Sequence, residues 1–104
     1  MVGRVWSAVA DVENAKKYVR FFERTIVPQL AAIDGSRGAL VMNRRAGERV
    51  EINVLTFWDS TAAIEKFAGS DLEAAIVEPE AQALLHSFDD RVRHYDVATN
   101  ALAL

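Results

Sequence analysis

Apolar and polar residues alternate with a period of two in parts of the chain and recur every three or four residues in others. The alternation is clearest over residues 48–58, and a two-residue period is typical of a β-strand. One side of this strand carries Val50, Ile52, Val54, Thr56 and Trp58. The other side carries Glu51, Asn53, Leu55 and Phe57, so the end of the strand is apolar on both faces.

A helical pattern follows Asp11. Apolar residues lie three or four positions apart and charged residues fill the opposite side, which predicts an amphipathic helix of about five turns. The apolar stripe consists of Ala15, Val19, Phe22, Ile26 and Leu30. We expect the side chain of Asp11 to cap this helix. We also expect Pro28 to kink it or to end its regular part near Val27.

The remaining patterns complete a recognisable order of elements. Further strands are predicted at 4–10, 38–45 and 91–97, and shorter helices at 62–68, 72–77 and 79–86. The resulting order is β-α-β-β-α-β, with the second helical unit in pieces, which is the ferredoxin-like arrangement. We therefore predict an α+β fold with a four-stranded antiparallel sheet, in a single domain over residues 1–104 with a tail from residue 98.

The helices of this arrangement can cover only one face of the sheet. The other face is not polar enough to meet water comfortably, because both sides of the first strand and of the end of the third strand are largely apolar. Large exposed apolar patches on a protein mark interaction sites. The sequence therefore predicts a homodimer in which two subunits pack sheet against sheet.

Composition excludes several classes of function. The formal net charge of -3 argues against a strongly basic nucleic-acid-binding protein. The absence of cysteine excludes disulfides, thiolate metal sites and a cysteine nucleophile. No apolar run approaches the roughly 20 residues that span a bilayer, and no signal peptide is recognisable. The expectation is a cytoplasmic protein without a membrane partner.

Residues 50–76 resemble the third strand and following helices of antibiotic biosynthesis monooxygenase-like domains. The resembling sequence is VEINVLTFWDSTAAIEKFAGSDLEAAI, and the resemblance extends from RVWSAVA near the start to VRHYDV near the end. It implies the dimeric α+β barrel superfamily, in which the sheets of a homodimer form a shared barrel. Each subunit of such a dimer has a pocket between sheet and helices.

The resemblance also implies a function. Members of this superfamily include oxygenases that act on aromatic polyketides and quinols without a cofactor, and the expectation is such a monooxygenase-like protein with no cofactor and no metal. The alternative is a non-enzymatic homodimer that binds a small hydrophobic or aromatic ligand or serves as a stress-related module. The sequence leaves both open, since fold and function are separable.

One branch of the superfamily degrades haem, and its pattern is not met here. This chain resembles the haem-degrading members in its LTFW and SD segments. Their pattern also requires an asparagine, a second tryptophan and a histidine at other positions. The matching positions hold Ser7, Phe67 and Val77. Because valine cannot ligate iron, haem degradation is disfavoured.

Two sets of residues are candidates for a site. The helix faces and strands predict a ligand pocket lined by Ser7, Tyr18, Phe22, Phe57, Phe67 and Val77. His94 is a candidate general base, with packing in the sheet or the dimer interface as the alternative. Trp58 is a candidate for stacking on an aromatic substrate, with core packing as the alternative. His86 and His94 do not have a metal-binding spacing.

Overall fold

The computed structural model describes residues 1–104 and contains five strands, four α-helices and one π-helical turn. The strands are β1 (Val2–Asp11), β2 (Ser36–Ala46), β3 (Arg49–Trp58), β4 (Ser87–Phe88) and β5 (Arg93–Asp96). The helices are α1 (Val12–Phe21), α2 (Val27–Ala31), α3 (Thr61–Ala68) and α4 (Pro79–Leu84), and the π-helical turn at Phe22–Ile26 joins α1 to α2.

All strand pairs of the sheet are antiparallel. The order is β2-β3-β1-β4, and β5 also pairs with β1, further along the same edge as β4. Together β4 and β5 take the place of the single last strand predicted at 91–97. This order is that of the ferredoxin-like fold, so the predicted α+β class and sheet are confirmed.

The helices cover one face of the sheet. On β1 and β3 every even-numbered residue from Val2 to Ala10 and from Val50 to Trp58 is buried, and the odd-numbered residues between them are half-buried. Successive side chains of a strand point to opposite faces. The helix-covered face is therefore the even-numbered one, and the odd-numbered residues form the open face.

The long amphipathic helix is continuous from residue 12 to residue 31, but a π-helical turn interrupts its regular α-helical hydrogen bonding. Its regular α-helical part ends at Phe21 rather than near Val27, and Pro28 follows a π-helical turn in which the Val27 N–H donates to the carbonyl of Phe22. Proline has no N–H to donate to the preceding turn, and the wider turn accommodates it. The predicted cap by Asp11 is wrong, because its carboxylate contacts Arg49 Nε at 3.0 Å instead.

The helix predicted at 72–77 is not formed. Its backbone pairs with the chain before β5: the Ala75 N–H donates to Asp90 O at 2.9 Å, and the Val92 N–H donates to Glu73 O at 2.8 Å. These bonds replace the bonds that a helix would make within itself. They also interrupt the last strand between β4 and β5, so residues 69–78 form an irregular segment that we call the cavity segment.

Gly35 lies where the chain turns towards β2, with a φ of 94°, and a Cβ atom there would lie 2.6 Å from the Cβ of Ala63. Gly35→Ala is expected to lower the free energy of unfolding by about 2–3 kcal/mol, because a strained backbone and an overpacked contact each cost about 1 kcal/mol or more. Urea unfolding measures this loss.

The matched control is Gly47→Ala, since Gly47 also has a positive φ (63°) but nothing within 4 Å of the added Cβ. Its expected cost is about 1 kcal/mol, from the backbone alone. A loss at Gly35 no larger than at Gly47 would contradict the importance of the close approach to Ala63.

Candidate functional site

A cavity of about 60 Å³ lies between the helix-covered face of the sheet and the helices. Of the 15 residues that line it 12 are hydrophobic, and the other three are Arg4, Thr56 and Glu78. The π-helical turn borders it through Phe22 and Ile26. Turns of this kind occur frequently at functional sites, because they displace side chains from regular helical spacing.

Four of the six residues predicted to line a ligand pocket border this cavity. They are Tyr18, Phe22, Phe67 and Val77. Ser7 and Phe57 do not, because both are odd-numbered residues of β1 and β3 and lie on the open face. There the Ser7 hydroxyl donates to Asn53 Oδ1 at 2.6 Å, and Phe57 lies beside residues of the C-terminal tail. Including them in one pocket with Tyr18 was wrong, since the pleat of a strand separates neighbouring side chains.

Arg4 is the buried charged residue of the cavity, and the sequence patterns did not single it out. It is 5% exposed, and its guanidinium donates to Leu72 O at 2.6 Å from Nη1 and to Ala74 O at 2.8 Å from Nη2. It also lies 5.8 Å from the centroid of the Phe67 ring. Burial lowers the pKa of Arg4, but a guanidinium stays protonated in proteins. A positive charge is therefore fixed inside an apolar site.

The sequence did contain a signal for Arg4. It has the same parity along β1 as the apolar residues Trp6, Ala8 and Ala10. A charged residue in the buried register of a strand is uncommon unless it is paired. That signal identifies Arg4 as unusual, but it does not identify what surrounds the guanidinium.

His94 lies directly opposite Arg4 on β5 and accepts a hydrogen bond from it. The distance from Arg4 Nη1 to His94 Nε2 is 2.9 Å. Because a guanidinium only donates, Nε2 is the unprotonated nitrogen. Burial, and then the charge of Arg4, lower the pKa of His94 from its ordinary value of 6.5, opposed by Glu73. His94 does not border the cavity, so the geometry makes it a partner of Arg4 rather than a base beside a substrate.

The arrangement at His94 predicts a pH dependence of stability. Folding lowers the pKa of His94, so the neutral ring makes its full contribution to the free energy of unfolding above about pH 6.5. It is lost as the pH falls from there towards the lower pKa of the folded state. His94→Gln, whose side-chain oxygen still accepts from Arg4, should remove this part of the pH dependence. Urea unfolding between pH 5 and pH 8 measures it.

The control for that experiment is His86→Gln, because His86 is exposed and lies outside the Arg4 contact. The control should keep the pH slope of the wild type. If His94→Gln and the wild type lose the same free energy of unfolding between pH 7 and pH 5, the proposed contact does not govern the titration.

Tyr18 supplies a further polar group beside the cavity. It is 4% exposed, and its ring packs against Trp6 with 6.0 Å between the centroids. The hydroxyl of Tyr18 bonds to no protein group and is not completely enclosed, because every completely enclosed polar side-chain atom of the protein has a partner. Burial raises the pKa of Tyr18 far above its ordinary value of 10.0. The hydroxyl therefore stays protonated and can donate.

Trp58 packs in the core rather than beside the cavity. It is 0% exposed, its Nε1–H donates to Thr56 Oγ1 at 2.8 Å, and its ring lies 5.8 Å from that of Phe67. Direct stacking on a substrate is therefore wrong for Trp58, and the core alternative is what the structure shows. Trp58 contacts the cavity only indirectly, by packing against Thr56 and Phe67, which both line the cavity.

The structure places no group of three or more His, Cys, Asp and Glu side chains where they could hold a metal ion. None of its helices is long and apolar enough to cross a membrane.

No protein-family model and no curated protein matches this sequence significantly. Among solved structures, the chain is similar to a Bacillus cereus protein described as a "putative antibiotic biosynthesis monooxygenase". The TM-score is 0.61 at 16% sequence identity, and the match covers 99% of this chain and 96% of that chain. At this level of identity the likeness shows a common fold. The chain therefore has the antibiotic biosynthesis monooxygenase-like fold that its sequence resemblance implies.

Proposed function

We propose that the protein binds a small aromatic compound of the phenol or quinol class in the cavity and oxygenates it without a cofactor. The observation that carries the proposal is the cavity itself. Aromatic side chains line it, and buried residues with polar groups border it, among them Arg4 and Tyr18. An apolar pocket with a few convergent polar groups is the usual form of a small-molecule site. The shared fold supports the oxygenase part.

The size of the cavity favours a single-ring ligand. Its volume of about 60 Å³ is smaller than the cavity of about 150 Å³ that holds benzene in an engineered protein. Even one ring must therefore displace part of the lining. The cavity segment is suited to move, since Ile76 and Val77 line the cavity outside any helix or strand and Ile76 is 45% exposed. A multi-ring polyketide requires a much larger opening.

The chemistry of such a reaction balances without an external reductant. A quinol that reacts with O₂ becomes a hydroxyquinone, one oxygen atom enters the ring, and the other leaves as water. The substrate supplies all the electrons. The chain then has to bind the ring, exclude water and stabilise negative charge on a phenolic oxygen. Arg4 supplies a positive charge and Tyr18 a hydrogen-bond donor for that last task.

Oxygen uptake with a panel of single-ring quinols tests the oxygenase proposal. We expect uptake faster than with heat-denatured protein, and formation of a product that contains one oxygen atom from ¹⁸O₂. Val77→Trp should abolish the uptake, because the larger side chain fills the cavity at its half-buried edge. Val27→Trp is the control, since Val27 is 44% exposed and lies outside the cavity. Uptake equal in the two variants would overturn the proposal.

The second candidate function is binding without turnover. This function is favoured because the candidate bases are not placed to take a proton from a ligand. His94 does not border the cavity, and Tyr18 remains protonated. Glu78 is the one carboxylate in the lining, and its Oε1 accepts from Gln29 Nε2 at 3.1 Å. A rise in melting temperature with a phenol, without oxygen uptake, would select this function.

We also propose that the protein is a homodimer joined through the open face. That face presents Val5, Leu40, Met42, Leu55, Phe57 and Tyr95, and Met42 and Tyr95 are 47% and 54% exposed. Arg44 and Glu51 form an ion pair at its edge. A second copy is the partner that the resemblance implies, and an apolar centre with charged edges suits such an interface.

Light scattering at micromolar concentration tests the dimer. The expected mass is twice the 11.5 kDa of one chain. A particle of one chain mass at that concentration would overturn the proposal.

A further inference from the structure

Arg4 differs from most arginines of this protein in having no acidic partner. Five other arginines, none of them buried, form ion pairs with carboxylates: Arg24, Arg37, Arg44, Arg49 and Arg91. The partners of the buried Arg4 are two backbone carbonyls and a histidine that is neutral at this contact. Burying a charge without a counter-charge is costly. A site that retains such a charge has an unfilled preference for an anion.

The hydrogen bonds of Arg4 leave one edge of its guanidinium free. Its Nη1 donates to Leu72 O and to His94 Nε2, and its Nη2 donates to Ala74 O. A guanidinium has five N–H donors in a fixed plane. The N–H of Nε and the second N–H of Nη2 remain, and these two nitrogens together form one edge of that plane.

That free edge is the one that binds carboxylates elsewhere in the same protein. Arg37 uses Nε and Nη2 to donate to the two oxygens of Asp59, at 2.6 Å each. In Arg4, Nε donates to no protein group, and Nη2 donates only to Ala74 O, which leaves its second N–H without a protein acceptor. Every completely buried polar side-chain atom of the protein has a hydrogen-bond partner. The Nε–H of Arg4 has none, so it is not completely buried. Arg4 also borders the cavity.

The one negative charge in the cavity lining is Glu78. It is half-buried and its carboxylate already accepts from Gln29. Solvent screens such a charge more than it screens the buried guanidinium of Arg4. The field inside the cavity is therefore positive where Arg4 and the hydroxyl of Tyr18 meet it.

We propose that the ligand of the cavity is a single-ring aromatic carboxylate, whose carboxylate the free Nε and Nη2 edge of Arg4 binds in a bidentate pair. The ring lies among Phe22, Phe67 and Tyr18, and the Tyr18 hydroxyl donates to a polar substituent on it. The proposal rests on the cavity being the ligand site and adds the charge of the ligand. A ring with both a carboxylate and a phenol fits both polar groups.

Titration calorimetry with two probe pairs tests the charge of the ligand on the wild-type protein. The pairs are benzoate with benzamide, and 4-hydroxybenzoate with 4-hydroxybenzamide, at pH 7.5. Each carboxylate should bind about tenfold or more tightly than its amide, because charge-assisted bidentate bonds are about twice as strong as neutral ones. Equal affinities within a pair would overturn this inference and leave the cavity as a site for neutral rings. Binding of none of the four probes would overturn both.

Variants locate the effect in the cavity. Arg4→Lys keeps the charge but has no bidentate edge, so the preference for carboxylate over amide should fall about tenfold or more. Arg20→Gln removes an exposed positive charge outside the cavity and should leave the preference unchanged. Tyr18→Phe should weaken 4-hydroxybenzoate but not benzoate, and this comparison holds even if Arg4→Lys does not fold. A preference that survives Arg4→Lys, or an equal loss of both acids in Tyr18→Phe, would contradict the assignment.

Discussion

Trp58→Ala is expected to lower the free energy of unfolding by about 3–5 kcal/mol, the usual cost of removing a large aromatic side chain from a core. Trp58 is 0% exposed and is the largest fully buried side chain. The substitution removes the packing against Phe67 and leaves Thr56 without the indole donor. Domains of this size are stable by about 5–15 kcal/mol, so the variant should be close to unfolding at 37 °C. Urea unfolding at 25 °C measures the loss.

Val27→Ala is the matched control, because it also shortens an apolar side chain, but one that is 44% exposed. Its effect should stay within about 0.5 kcal/mol. A second variant, Trp58→Phe, keeps a ring in the core and should cost less than Trp58→Ala. If Trp58→Ala lost less than 1 kcal/mol relative to Val27→Ala, Trp58 would not be part of the packed core.

Leu55→Asp is expected to convert the proposed dimer into a monomer, with a rise in the dissociation constant of about a hundredfold or more. Leu55 lies at the centre of the open face, paired in register with Val5 and Leu40. Truncating a central interface residue costs about 2 kcal/mol or more, and each dimer contains two copies of the change. Sedimentation or light scattering over a dilution series measures the shift.

The control for Leu55→Asp introduces the same charge on the other side of the molecule. Val27→Asp places a carboxylate on an exposed helix position and should leave the dissociation constant unchanged. Circular dichroism of Leu55→Asp should show a folded monomer, because an open-face side chain of one subunit can meet water. An unchanged particle mass in the folded variant would show that the subunits associate elsewhere or not at all.

The pattern of β3 was sufficient to predict both the strand and its two faces. Its even-numbered residues are all buried and its odd-numbered ones are all half-buried, as the alternation required. Ser60 caps α3, with its hydroxyl accepting from the Ala63 N–H at 3.3 Å. These features depend on neighbours within a few residues, and such local information is what sequence periodicity carries.

The candidate site was predicted less well. Helix periodicity placed Tyr18 and Phe22 towards the sheet, and they border the cavity. Ser7 and Phe57 lie on strands, and the parity of their positions places both on the open face, away from the cavity. Arg4 was missed, since a pattern of apolar residues gives no weight to a single buried charge.

The sequence by itself determined the order of elements, the antiparallel sheet and the two faces of β3, because these follow from spacing along the chain. Only the tertiary structure decided the cavity segment and the surroundings of Arg4. The helix predicted at 72–77 is absent because Asp90 and the Val92 N–H take its backbone groups. Arg4 meets Leu72 and His94 across 68 and 90 residues of chain. Contacts of that separation depend on how the sheet closes, and no local pattern records them.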